Sequence, residues 1–125
     1  MSKVLIIEHN HNFRNALKSL MNSKYPAIVF QEATNVKEAF DKINELMPDI
    51  IFSDISLSTE KGFEFIGGAR KRCPSAVIVA LSSENSAEYE NAAIKCGADY
   101  CFSKSALNMG VMDELFETDK SAVRP

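Results

Sequence analysis

Pro48-Asp49-Ile50-Ile51-Phe52-Ser53-Asp54-Ile55-Ser56-Leu57-Ser58-Thr59-Glu60-Lys61-Gly62-Phe63-Glu64 is the stretch on which the reading of this chain turns. A short apolar run, Ile50 to Phe52, passes through Ser53 to a carboxylate at Asp54, and a loop of small polar residues follows and closes at Gly62. An apolar run of that length between turn signals is the pattern of a buried parallel strand. Open α/β sheets place their chemistry beyond the carboxyl ends of their strands, and the first acidic side chain past this strand's end is Asp54. Asp54 is therefore the candidate functional centre. The same side chain would also suit a cap on the following turn, where Asp is common.

The rest of the chain repeats the pattern. Lys3 to Ile7 is a first strand ending at Glu8-His9-Asn10. Phe13, Ala16, Leu17, Leu20 and Met21 then form one face of an amphipathic helix, with Pro26 as its stop. Ala27 to Phe30 reads as a second strand. Asn35 with Glu38 is a capping box for a helix whose apolar face is Val36, Ala39, Phe40, Ile43 and Leu46, ended by Pro48. Gly62 to Arg72 is a helix with Phe63, Ile66 and Ala69 inward, ended by Cys73-Pro74. Ala76 to Leu81 is apolar throughout, which marks a central strand covered on both faces, with Ser82 and Ser83 at its tip. A weaker helix runs from Ser86 to Lys95, its apolar positions Ala87, Ala92, Ala93 and Ile94, and Gly97 stops it. Tyr100 to Phe102 is the fifth strand, with Lys104 just beyond. A last helix carries Leu107, Val111, Met112, Leu115 and Phe116. Five strands alternating with five helices predict an α/β fold, a doubly wound parallel sheet covered on both faces. One domain over residues 1–120 is expected, with a frayed tail over 121–125.

Bulk properties exclude several classes. A chain of 125 residues can bury a single core, and a formal net charge of -3 offers no general attraction to nucleic acid or anionic membranes. The one basic cluster, Arg70-Lys71-Arg72, falls at a helix end, complements the helix dipole there and reads as a solvated face. Cys73, Cys96 and Cys101 have no metal-ligand spacing, so reduced and largely buried thiols are expected. The N-terminus enters a strand at once, unlike a signal peptide, and no segment is apolar enough to span a bilayer. A cytoplasmic domain is the expectation.

In this topology Glu8 with His9, Asp54, Ser82 and Lys104 share one edge of the sheet. Together they make a kit for holding a phosphoryl group. The Asp54 carboxylate can attack phosphorus to give an aspartyl phosphate. Acidic neighbours can hold Mg²⁺, Ser82 can hydrogen-bond a phosphoryl oxygen, and Lys104 can act as a point charge on another. Taken singly, Glu8 reads as a solvated strand end, Ser82 as a helix cap and Lys104 as a surface residue.

On these residues the chain resembles a response-regulator receiver domain over essentially its whole length. Lys3 to Glu8 is similar to the family's first strand with its leading acid, and Asp54 with Gly62 eight residues later to the phosphoacceptor and its loop glycine. Ser82 resembles the switch hydroxyl, and Gly97-Ala98-Asp99 leading to Lys104 the family's late signature. Phe13-Arg14 resembles receivers that often precede a helix-turn-helix output domain. None follows in this sequence, so a stand-alone receiver or a fragment is expected. The resemblance implies a flavodoxin-like sheet in the order 2-1-3-4-5. It also implies Mg²⁺ held by Glu8, Asp54 and the backbone carbonyl of Ser56, and a sensor histidine kinase or phosphotransfer protein as partner. Output would pass to a domain or partner protein through the fourth helix, fifth strand and fifth helix, a region through which such domains often homodimerise. No separate enzymatic activity is implied.

The sequence also departs from the family. His9 stands where a second acid usually binds Mg²⁺, and imidazole is a poor ligand for a hard cation, so weak Mg²⁺ binding and slower or less metal-dependent phosphorylation are expected. A protonated His9 could pair with Asp54 or a phosphoryl group instead. A softer metal would accept its nitrogen, but His11 lies in the helix start and a dedicated metal site is not expected. Ser58 and Ser105 replace two common prolines. A cis bond before Ser105 would cost about 3–4 kcal/mol, so trans is expected. Cys101 takes the place of the usual aromatic switch residue, and its neighbours Tyr100 and Phe102 face the opposite side. Two other readings therefore stand beside the phosphoacceptor: a pseudo-receiver that binds partners without being phosphorylated, and a flavodoxin-like enzyme. The last is disfavoured, because no glycine-rich phosphate loop follows the first strand.

Overall fold

Each apolar run becomes a strand, and each connection between strands carries a helix. The computed structural model describes residues 3–25, 27–55, 59–83 and 86–118. In chain order these form β1 (Lys3–Ile7), α1 (His11–Asn22), β2 (Val29–Ala33), α2 (Val36–Leu46), β3 (Ile50–Asp54), α3 (Thr59–Arg72), β4 (Val77–Ser82), α4 (Ala87–Cys96), β5 (Tyr100–Ser103), a 3-10 turn (Lys104–Ala106) and α5 (Met109–Thr118). Every strand pair is parallel, and the sheet order is β2-β1-β3-β4-β5.

Strand alternation sorts the core into two layers. Leu5, Ile7, Ile51 and Ile78 face α2, α3 and α4, meeting Ile43, Phe65, Ile66 and Ala93. Val4, Ile6, Phe52 and Val79 face α1 and α5, meeting Leu17, Met21, Met112 and Leu115. Each large side chain buried in this way contributes on the order of 2 kcal/mol. β3 and β4 are buried along their whole length, which is why they appear in the sequence as unbroken apolar runs.

Helix starts follow from short polar side chains. Asn10, Asn35 and Ser86 each accept from a backbone N–H three residues on, satisfying a donor that the helix leaves unpaired. α2 ends where Met47 takes a left-handed conformation (φ 49°) just before Pro48.

Four expectations are corrected. The second strand runs Val29–Ala33 rather than Ala27–Phe30. Ile28 is held in a turn by its N–H to the Tyr25 carbonyl, and pairing with β1 carries the strand on through Gln31 and Glu32 to Ala33. α3 begins at Thr59, so Gly62 lies inside the helix instead of closing the loop, and the buried Phe65 belongs to its inner face. A Cβ on Gly62 would stand 2.9 Å from the Ile55 Cα, so the close approach of helix and strand requires glycine. The inner face of α4 is Tyr89, Ala93 and Cys96, whereas Ile94 is exposed.

The fourth correction concerns Arg70, which is no solvated residue. Its guanidinium donates to the carbonyls of Gly97 (2.9 Å) and Ala76 (2.7 Å) and to Asp99 Oδ2 (2.6 Å). Asp99 in turn accepts from the Ile78 N–H at 2.9 Å. Gly97, at φ 124°, caps α4 and leaves room for this arginine. The Gly97-Ala98-Asp99 signature is thus half of a structural clamp. Arg72 lies over the Phe40 ring at 4.2 Å. The Pro26 helix stop, Ser56, Ser58 and the tail over 121–125 lie outside the described residues.

Candidate functional site

Alternation decides which side chains can meet at the carboxyl edge. Glu8 continues the series Val4, Ile6, and Asp54 continues Ile50, Phe52, so both carboxylates lean towards the α1 and α5 side. β1 and β3 are neighbours, with Ile7 opposite Ser53, which sets the two acids across from each other. Both are buried, Glu8 at 0% exposure and Asp54 at 3%. Asp54 is the last residue of its strand rather than the first beyond it.

Two buried carboxylates need a cation. Lys104, delivered by the turn after β5, places Nζ 2.7 Å from Glu8 Oε2 and 3.4 Å from Asp54 Oδ2, with the Phe13 ring 4.9 Å away. Coulomb energy scales inversely with distance, so the two attractions differ by only about a quarter and the ammonium is shared. Its contact with Glu8 is off the hydrogen-bonding direction, and Glu8 Oε2 is a buried oxygen without a hydrogen bond. Glu8 Oε1 accepts from the Asn10 N–H at 3.0 Å. Arg14 fixes the strand tip: Nη1 donates to the Glu8 carbonyl at 2.5 Å and Nε to Glu32 Oε1 at 2.9 Å.

His9 has an exposed ring, yet its Nδ1 turns inward, 3.7 Å from Glu8 Oε1 and 3.8 Å from Asp54 Oδ2. Glu8, His9 and Asp54 offer ligand atoms that all lie within 4.8 Å of one another. Ser82 is buried at the end of β4, next to Leu81, the register partner of Asp54. A groove of about 520 Å³ opens between α2 and α3, lined by Ile7, Val36 and Phe65 and reaching Ser53 and Asp54 from the face opposite to α1 and α5.

Of the residues expected at the site, Glu8, His9, Asp54 and Lys104 come together in direct contact distance. Arg14 and Phe13 also shape it, although the sequence marked Phe13 only as part of an apolar helix face and the pair only as part of a resemblance. Their signal is position: one turn into a helix that begins three residues after the strand tip. Cys101 packs on the α4 side with Tyr89, while Tyr100 and Phe102 stack on the other face, as alternation requires. Burial, and secondarily Glu90, raise the Cys101 thiol pKa. The Lys104–Ser105 peptide is trans.

Mg²⁺ demands near-octahedral oxygen coordination. Here two groups of the cluster supply oxygen, one supplies nitrogen, and Lys104 already neutralises part of the negative charge. The donor set fits that ion poorly.

The fold and this edge cluster define a signalling module of the two-component type. The chain belongs to the response regulator receiver domain family, whose model matches residues 4–115. It is 35% identical over 96 residues to the chemotaxis protein CheY of Thermotoga maritima, covering 77% of this chain and 79% of that protein. It is 31% identical over 83 residues to the sensory transduction protein LytT of Bacillus subtilis, covering 66% of this chain and 34% of LytT. The chain thus spans about a third of the LytT length, as that 34% coverage gives. The signal receiver domain of a DNA-binding response regulator from Colwellia psychrerythraea 34H superposes with a TM-score of 0.84 at 20% identity, covering 94% of this chain and 96% of that one. Receivers of this family work with histidine kinases or phosphotransfer proteins and with output domains, and bind Mg²⁺ at an acidic pocket. Among the described residues no helix is long and apolar enough to cross a membrane.

Proposed function

We propose that this receiver accepts a phosphoryl group on Asp54 and that the modified pocket switches a protein-interaction surface. The observation that carries the reading is the ammonium of Lys104 shared between Glu8 and Asp54. An Asp54 carboxylate oxygen forms a bond to phosphorus as the bond from phosphorus to the donor breaks, and the electron pair leaves with the donor. Asp54 then carries additional negative charge, which competes with Glu8 for Lys104. Withdrawal of Lys104 biases the surrounding turn, and Ser82 hydrogen-bonds a phosphoryl oxygen from the end of β4. The donor would be a sensor histidine kinase or phosphotransfer protein, and the output a domain or partner protein engaged through α4, β5 and α5, where homodimers could also form. The chain itself acts as a switch rather than as an enzyme, in the cytoplasm and without nucleic acid or membrane contact of its own.

His9 and Cys101 favour a second reading, a pseudo-receiver that binds partners unmodified. The two separate cleanly. The chain is incubated with acetyl phosphate in metal-free buffer and with Mg²⁺ or Mn²⁺, and its intact mass is measured beside Asp54→Asn. A gain of one phosphoryl group that the variant lacks is the expected result. No gain under any metal sinks the phosphoacceptor reading.

A further inference from the structure

The structure assigns to Glu8, His9 and Asp54 a three-ligand site for a borderline transition-metal dication, of the Zn²⁺ or Co²⁺ kind, in preference to Mg²⁺. It lies in the pocket of the proposed function and deepens that reading, but binding of the ion to the unmodified protein does not require phosphoryl transfer.

The donor set is one imidazole nitrogen and two carboxylate oxygens, which suits zinc-like ions and leaves a fourth position for water. The orientation of His9 is the second observation. Its ring is 59% exposed and could face solvent, yet Nδ1 points at both acids. Bonds of about 2.1 Å place the ligand atoms of a tetrahedral site about 3.4 Å apart. The His9 edges of 3.7 and 3.8 Å need only a few tenths of an ångström of closure. Octahedral Mg²⁺ with similar bonds needs edges of about 3.0 Å, a larger contraction, and an oxygen where the nitrogen stands.

Lys104 leaves one ligand oxygen clear and competes for the other. On Glu8 it takes Oε2 at 2.7 Å, whereas His9 faces Oε1, which also accepts from the Asn10 N–H. On Asp54 it lies 3.4 Å from Oδ2, the oxygen that His9 also faces, and this longer contact is the one the ion must displace. Glu8 can therefore keep the ammonium on one oxygen and offer the other to the ion. The Glu8 carboxylate is already oriented from the backbone, through Asn10, and the strand tip through Arg14, while the three ligand atoms, all within 4.8 Å of one another, close further around the ion.

The test uses the full chain without any phosphodonor. Zn²⁺ and Mg²⁺ are titrated separately by calorimetry, Co²⁺ is followed by its visible absorption, and the His9 ring is watched by NMR. The expected result is Zn²⁺ binding at least tenfold tighter than Mg²⁺, with the His9 ring resonances shifting on Zn²⁺ addition. His9→Asp should weaken Zn²⁺, tighten Mg²⁺ and lower their affinity ratio at least tenfold; His9→Gln should weaken Zn²⁺ without gaining Mg²⁺. His11→Ala, at the exposed neighbouring histidine, should change neither. An affinity ratio that survives both His9 variants overturns the assignment, as does loss of Zn²⁺ binding in His11→Ala. A failed phosphorylation assay with these metal results intact would sink the phosphoacceptor reading alone.

Discussion

The two edges of the sheet each set a cation against a carboxylate, and they do it differently. At the amino edge, Arg70 meets Asp99 at 2.6 Å and also donates to backbone carbonyls, while Asp99 accepts a further backbone N–H. Planar guanidinium geometry commits the arginine to one arrangement. At the carboxyl edge, Lys104 lies between two carboxylates, and one buried oxygen has no hydrogen bond. A point charge on a flexible stem can change partners at low cost. The fully satisfied edge is scaffold; the edge with a shared cation is the one that can respond to a new charge.

The scaffold edge carries the larger expected effects. Arg70→Ala removes the donor to the Gly97 and Ala76 carbonyls and to the half-exposed Asp99, and should cost on the order of 3 kcal/mol in urea unfolding, with the phosphoryl uptake of the folded protein retained. Gly97→Ala forces a side chain into a positive-φ position against Arg70 and should cost about 2 kcal/mol, read as a lower unfolding midpoint. At the responsive edge, Lys104→Met leaves Glu8 and Asp54 facing each other. It should lower the urea unfolding midpoint in metal-free buffer, a loss that shrinks when a divalent cation is added; an equal loss with and without metal would show the pocket to be as rigid as the clamp.

The smallest effect is at an ion pair between α5 and the segment that follows α1. Lys24 donates to Asp113 at 2.8 Å and the Tyr25 hydroxyl donates as well, and these bonds hold the Asp113 carboxyl below its ordinary value. A depressed carboxylate stabilises the fold above its unfolded pKa and loses that contribution as pH falls through the lower folded value. Asp113→Asn should therefore lower Tm slightly near neutral pH, with the gap to the parent closing below about pH 4.

What could be read from the sequence depended on how locally each feature is encoded. β3 and β4 announce themselves because both faces are buried, and Glu8, Asp54 and Lys104 because each lies at or just past the end of a short apolar strand. β2 was misplaced because an edge strand is half-buried and carries Gln31 and Glu32 as readily as Val29. α4 shows only scattered apolar positions, Ala87, Ala92, Ala93 and Ile94, because small residues surround its axis, and its buried stripe joins Ala93 to Tyr89 and Cys96. The Arg70 clamp was invisible because its partners lie 27 and 29 residues away. The inward turn of His9 is likewise a property of the folded edge: the identity of the residue was plain, its direction was not.

The clamp has a consequence in time as well as in space. Ile78 and Asp99 exchange bonds in both directions, the Asp99 N–H to the Ile78 carbonyl at 2.8 Å and the Ile78 N–H to the Asp99 carboxylate at 2.9 Å. An amide locked by a carboxylate that is itself held by a guanidinium opens only when much of the domain opens. Hydrogen exchange should then run as a gradient along β4, slowest at Ile78 and faster towards Ser82. The sheet behaves as a plate anchored along one side, with its motion concentrated where the charges are shared.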